Sequence, residues 1–409
     1  MTPENIDRIA KKYGTPFYAF YVDEFVSNYK ELKDSYTEIY DNFEIAYSYK
    51  TNYMPACCKE VLKLGGFSEV VSDMEYHMAK RYGFEPSKII VNGPGKWNGI
   101  EEMASDGAII MVDNKFELER VITAASKLDK EVTIGFRLNI DIGTKKNSRF
   151  GFDVLSPELT IAIDRARESR NVKIIGLHFH LGGSRSIEAW KARAEKMTMY
   201  ADTLLRNDEK KIIDLGSGMF GHVAAPLAAQ FGQDIPSFSQ YAEVVATVFK
   251  EKYGSLPESS RPLLIVEPGS TIIANTMMYA VSVIGIKTVR GRNIAMTDGS
   301  VHQMGEMGKK KQLPAHVIHK GIDPESVMSA DITGYTCLED DIMYRALPEE
   351  VSFGDIVYFE NCGAYTNVMK PPFIQTGCKI ISCRYDGTMT LVKRGDTVDD
   401  YLSSYEEDI

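Results

Sequence analysis

Eight short apolar runs, rich in β-branched residues and mostly followed by helical patterns, set the architecture of this chain. They lie at 44–50, 67–72, 89–93, 108–113, 132–139, 173–180, 211–215 and 263–267. Runs this apolar are strands buried on both faces, and strand–helix alternation makes a parallel sheet. Eight such units over roughly 250 residues is the count of a (β/α)8 barrel. A doubly wound open sheet is the competing arrangement. The barrel is preferred because polar, chemistry-bearing residues end every run, whereas a doubly wound sheet gathers them at one switch point.

Beyond about residue 275 the pattern changes. Met277–Val289, Ser326–Tyr335, Asp355–Glu360 and Cys378–Leu391 read as strands with little helix between them, and Asp386-Gly387 marks a hairpin turn. The expected division is α/β: a (β/α)8 barrel over 22–275 and a mostly antiparallel β domain from 1–21 plus 276–409. The run Thr15–Tyr21 pairs into the second domain.

A chain of 409 residues is long enough for two cores. Its net charge of −10 argues against a nucleic-acid partner, which needs a basic face. No apolar run is long enough to span a bilayer. The start Met1-Thr-Pro-Glu-Asn-Ile-Asp7 has no basic segment leading into an apolar one. A cytoplasmic protein is expected. The scattered cysteines lack zinc-site spacing, so no metal is expected.

The carboxyl ends of the runs carry Lys50, Glu69 and Ser72, Asn92, Asp113, Arg137 and Asn139, His178 and His180, Gly216-Ser217-Gly218, and Glu267. Singly each has an ordinary reading: a strand-end lysine, a satisfied histidine, a turn. Together they meet the needs of one cofactor, pyridoxal 5'-phosphate (PLP). Lys50, ending an apolar strand, supplies an amine for the aldehyde. The Gly216–Gly218 backbone suits a phosphate, and Ser184 adds a hydroxyl. His180 offers a ring to stack, and Glu267 an acid for the pyridine nitrogen.

In this order the motifs are specific. Ala46-Tyr-Ser-Tyr-Lys50-Thr-Asn, Glu69-Val-Val-Ser72 with Glu75, Ser148-Arg-Phe-Gly151, His178-Phe-His180-Leu-Gly-Gly-Ser184, Gly216-Ser-Gly218-Met-Phe220, Glu267-Pro-Gly269, Cys337 and Gly363-Ala-Tyr365 follow one another along the chain. Over nearly its whole length the sequence resembles the fold type III PLP-dependent decarboxylases, the group of diaminopimelate, ornithine and arginine decarboxylases. The resemblance implies that Lys50 bonds the cofactor, His180 stacks on its ring and Glu267 binds its nitrogen. It implies that Gly216, Ser217, Gly218 and Tyr365 hold the phosphate. It also implies a homodimer with shared active sites, in which Cys337 of the partner subunit helps protonate the α-carbon after carbon dioxide leaves.

The departures bear on substrate. The family carries arginine after Glu-Pro-Gly, where this chain has Ser270; Lys309-Lys310-Lys311 is a weak substitute, with a solvated loop as the ordinary reading. After its cysteine the family places an acid that meets a distal amine, but Leu338 stands there, followed by Glu339, Asp340 and Asp341. The stretch Asp298-Gly-Ser-Val-His302-Gln-Met has no arginine. Leu338, Glu339, Asp341 and His302 are the expected substrate-facing residues. The first expectation is a decarboxylase for a modified or carrier-bound amino acid. The alternative is a conventional diaminopimelate or diamine-forming (ornithine or lysine) enzyme. A PLP racemase and a non-catalytic homologue remain further alternatives, the racemase disfavoured by Glu267, since alanine racemases face the ring nitrogen with arginine.

Overall fold

The structure, a computed structural model, describes residues 2–144, 147–321, 325–369 and 372–406. It divides into two compact units, one of residues 28–221 and 236–271 and one of residues 1–27, 222–235 and 272–409.

The first unit is a closed parallel barrel. Its strands are β1 (Phe43–Ser48), β2 (Phe67–Ser72), β3 (Ile89–Gly95), β4 (Ile109–Val112), β5 (Val132–Asn139), β6 (Val172–His178), β7 (Ile212–Asp214) and β8 (Leu263–Val266). Each pairs in parallel with the next, and β8 pairs back with β1. The ring rules out the open sheet. Several helices that follow the strands start on capping side chains. Ser72, Asn114, Ser156, Ser186 and Ser237 each accept a backbone N–H of the first turn, so at least one orphan donor of each helix start is satisfied.

Inside the barrel Ala46, Phe67, Ile90, Ile109, Met111, Ile175, Ile212 and Ile265 form one apolar cluster. Side chains alternate faces along a strand. The positions two residues further on, Ser48, Glu69, Asn92, Asp214 and Glu267, are therefore stacked on that cluster at the strands' carboxyl ends. β6 has an irregularity against β5 between Ile134 and Gly135. Lys50 lies just past β1 in a single 3-10 turn, Tyr49–Thr51, and the next helix starts at Pro55.

In the second unit Phe17–Tyr21 pairs antiparallel with Met277–Val289 and parallel with Lys379–Cys383. The strand Lys379–Cys383 continues through the Asp386-Gly387 turn into Met389–Lys393. Alternate residues Phe17, Ala19, Tyr21, Met278, Ala280, Ile381 and Cys383 pack beneath Ile6 and Ile9. Those two isoleucines belong to a helix, Pro3–Tyr13, that the expected scheme lacked. Residues 222–235, expected with the barrel, group with this unit. The expected strand Ser326–Tyr335 is two short strands, Ser326–Val327 and Ala330–Thr333. Arg292–Thr297, Ala315–Ile318 and Ile342–Leu347 are further strands. The lysine run expected as a loop closes a short helix, Gly305–Lys310.

Candidate active site

The barrel's carboxyl-end layer is a hydrogen-bonded ring of buried polar groups. Lys50 Nζ stands 2.6 Å from Glu69 Oε2, and Ser48 Oγ donates to the same oxygen at 2.5 Å. Asn92 Nδ2 joins two strands' carboxylates, donating to Glu69 Oε1 at 3.3 Å and Glu267 Oε1 at 2.5 Å. His178 Nε2 lies 3.4 Å from the Glu267 carboxylate. Glu69 and Glu267 side chains are 1% exposed, whereas Lys50 is 29% and His180 24% exposed. The anions thus form the floor, and the amine and imidazole present edges above it.

His178, Asp214 and Glu267 have polar atoms within 4.8 Å of one another. Two carboxyls this close inside a protein do not both ionise. Burial, then the Glu267 charge, push Asp214 far above the carboxylate range. Burial opposes the Glu267 anion too, but His178 and then Lys50 hold it well below that range. The pair therefore carries one proton, on Asp214, and one charge, on Glu267. Burial in turn lowers the His178 pKa, against the pull of Glu267.

The loop after β7 is built for close backbone approach. Gly216 has φ +66, and a Cβ there would lie 2.6 Å from the Phe179 carbonyl oxygen and 2.7 Å from His180 Cβ. Its N–H goes to Asp214 Oδ1 at 2.8 Å, and the Ser217 N–H goes to His180 Nδ1 at 3.0 Å. The Gly218 and Met219 N–H groups have no acceptor among the described residues. They, rather than the first two amides, are the loop's open donors. Ser184 is buried, its Oγ 3.5 Å from Thr144 Oγ1.

Two side chains that strand ends did not advertise complete this half. Asp214 follows from the period-two rule. Arg193 lies on the buried stripe of the helix Ile187–Leu204 among Trp190, Ala194, Met197 and Ala201, an arginine where the helical pattern calls for an apolar residue. Its Nη1 donates to the Leu215 and Ser217 carbonyls, each at 2.8 Å, and its Nη2 to Leu181 O at 3.2 Å.

Other motif residues are structural. Glu75 accepts the Val71 N–H at 2.8 Å while Ser72 accepts the Glu75 N–H, closing the turn from β2 into its helix. Burial raises the Glu75 carboxyl to about 7. The Ser148–Gly151 segment is held by Asn139, whose Nδ2 donates to the Ser148 and Phe150 carbonyls, and by Asp113, which takes the Gly151 N–H at 3.0 Å.

In the second unit, Cys337 is exposed and shares a cavity of about 560 Å³ with Leu338, Glu339 and Arg345. His302 and Asp340 line a different cavity, of about 420 Å³. Asp341, expected to face substrate, is buried and clamps its own loop. It accepts from Ser300 Oγ (3.0 Å), Val301 N (2.8 Å), Thr336 N (3.1 Å) and Thr336 Oγ1 (2.7 Å). Four donors thus already engage this carboxylate within its own loop, although it also borders the cavity of Cys337. Tyr365 has φ +56, a conformation that a residue with a Cβ holds only under constraint. Lys309 and Lys310 face Glu306, and Lys311 donates to the Gln230 carbonyl.

Residues 22–274 match the family described as pyridoxal-dependent decarboxylase, pyridoxal binding domain. The chain belongs to this family. This decarboxylase is 26% identical to a probable chloroplastic diaminopimelate decarboxylase of Oryza sativa, over 96% of the chain and 80% of the relative. It is 25% identical to the diaminopimelate decarboxylase of Aquifex aeolicus, over 97% of the chain and 92% of the relative. The crystal structure of the diaminopimelate decarboxylase from Methanocaldococcus jannaschii superposes with a TM-score of 0.83 at 24% identity, covering 97% of this chain and 93% of that one. The fold is thus that of the decarboxylases, and the enzyme is a PLP-dependent carboxy-lyase. The barrel mouth fits the cofactor. Among the described residues Asn92 Oδ1, Arg137 Nε, His178 Nδ1 and Asp214 Oδ2 are buried there without hydrogen-bond partners, and the Gly218 and Met219 amides of the loop after β7 are open donors. Among the described residues no helix is long and apolar enough to cross a membrane.

Proposed function

We propose that the enzyme removes the α-carboxylate of a free diamino acid of the diaminopimelate or lysine–ornithine class. The observation that carries this reading is Glu339. It is exposed beside Cys337 and has no ion pair among the described residues. Its carboxylate supplies the distal-amine partner that Leu338, one position earlier, does not. The names of the two relatives, which match along almost the full chain, favour the same class.

Bound PLP supplies an electron sink for the pair of electrons left when carbon dioxide departs. The protein's part follows from its residues. The Lys50 amine, held by Glu69, would receive the cofactor aldehyde. Glu267, charged and buried, keeps the pyridine nitrogen protonated, because an adjacent opposite charge favours the charged form. His180 would hold the face of the ring as a neutral imidazole. Gly218 N, Met219 N and Ser184 Oγ would hold the phosphate. Cys337 of the partner subunit donates the proton to the α-carbon, which requires a homodimer.

The second reading, a modified or carrier-bound amino acid, is favoured by Leu338, 40% exposed where the family has an acid, and by the engagement of Asp341 within its own loop. Carbon dioxide release decides between them. On free meso-diaminopimelate, lysine and ornithine, kcat/KM of about 10⁴ M⁻¹ s⁻¹ or more for one of them is expected. Turnover confined to acylated, citryl or carrier-linked amino acids sinks the first reading. Borohydride reduction should fix the cofactor on Lys50, and label on any other lysine removes the site reading.

A further inference from the structure

Arg193 is a fully buried guanidinium with no carboxylate within ion-pair distance among the described residues. Burying a cation without an anion is costly, and the Trp190 ring at 4.2 Å and three carbonyls offset only part of that cost. Its contacts are concentrated on one feature. It holds the Leu215 and Ser217 carbonyls of the loop after β7 and the Leu181 carbonyl of the Ser184 loop. A Cβ at Gly218 would stand 4.0 Å from its Nη2. In the same loop the Gly218 and Met219 N–H groups have no acceptor among the described residues. The position after Glu-Pro-Gly, where the family resemblance places an arginine, is Ser270.

We propose that Arg193 provides the positive charge for the cofactor phosphate, from beneath the Gly216–Gly218 loop, in place of the missing arginine at Ser270. The inference rests on the reading that this loop holds the phosphate. Arg193 is a positioning residue: it touches the loop and acts through it. The phosphate dianion is the anion that its buried charge lacks, and the carbonyl contacts preset the donors that meet it. Removing the charge selectively weakens a ligand with a phosphate, whereas a merely structural loss weakens every ligand of the site.

The test compares PLP with pyridoxal, which lacks the phosphate, by spectroscopic titration of apoenzyme. Arg193→Gln should weaken PLP by about ten- to a hundredfold and pyridoxal by less than about twofold. Arg193→Lys, which retains the charge, should keep most of the preference for PLP. Equal losses for both ligands in Arg193→Gln, or an unchanged preference, overturn the proposal. If Arg193→Gln does not fold, Arg193→Lys decides, because a folded lysine variant without the preference also overturns it. Gly218→Val distorts the cradle itself and separates the two failures. A preference that survives Gly218→Val removes the phosphate-loop reading. A preference lost in Gly218→Val but intact in Arg193→Gln removes only the role of Arg193. Arg185, whose guanidinium lies 4.8 Å from the Phe220 ring, is the competing cation. Loss of the preference in Arg185→Met alone would transfer the role to it and overturn the proposal.

Discussion

The Ser217 backbone N–H donates to Nδ1 of His180 at 3.0 Å. A ring nitrogen that accepts from an amide carries no proton, so the hydrogen of His180 sits on Nε2. Burial, then the Lys50 charge, press its pKa well below the ordinary 6.5. The unfolded chain binds a proton at this residue near 6.5 and the folded one does not. Stability should therefore be full above that pH and decline as pH falls below it. Nitrogen NMR of the apoenzyme should show a neutral Nε2–H imidazole throughout pH 6–8, and His180→Gln should flatten the acid side of the thermal-stability profile. An imidazolium signal near pH 7 would contradict the assignment.

Asp214 is a buried acid whose proton stays on when folded. The unfolded side chain ionises above about 3.8, so this residue opposes folding increasingly as pH rises beyond that value. Asp214→Asn keeps the shape and the acceptor for Gly216 N–H, and its melting temperature should gain on wild type from pH 4 toward pH 7. Asp214→Ala leaves that N–H unpaired and should cost about 1–3 kcal/mol. A melting advantage for Asp214→Asn that shrinks with pH would reverse the protonation assignment.

Glu75, raised to about 7 from 4.5 by burial, gives a narrower signature. Its folded state holds a proton that the unfolded state has lost, so its contribution to stability should decline from about pH 4.5 to 7 and then level off. Glu75→Gln retains an oxygen for the Val71 N–H and should remove that decline in chemical-denaturation curves taken across the window.

Asp341 and Glu339 should separate structure from substrate. Asp341→Ala strands the donors of Ser300, Val301 and Thr336, and a loss of about 2–4 kcal/mol is expected. Glu339→Gln should leave the melting temperature within about 1 °C and raise KM for free diamino acids about tenfold or more. A Glu339→Gln enzyme with unchanged KM would return the substrate to the modified class.

Subunit mixing tests the shared site. Lys50→Ala and Cys337→Ala proteins, each inactive, should recover up to about a quarter of wild-type sites when exchanged at equal amounts, because a two-fold dimer pairs the two lesions in one site and spares the other. No recovery after exchange verified by mass spectrometry would exclude sharing.

The sequence determined the barrel, because eight two-faced apolar runs alternating with helices have few other ways to bury themselves. The same period-two alternation placed Lys50, Glu69, Asn92 and Glu267 at the strands' carboxyl ends, and the ordered motifs pointed to the cofactor. What tertiary structure decided is which polar groups are already occupied. The Gly216 and Ser217 amides, expected to hold phosphate, are taken by Asp214 and His180. Asp341 clamps its own loop, although Leu338, Glu339 and Asp340 just before it are exposed. Arg193 lies too far along a helix to signal its contact with the loop after β7. Hydrogen-bond partners distant in sequence depend on how helices and loops pack together, and local periodicity carries no record of that packing.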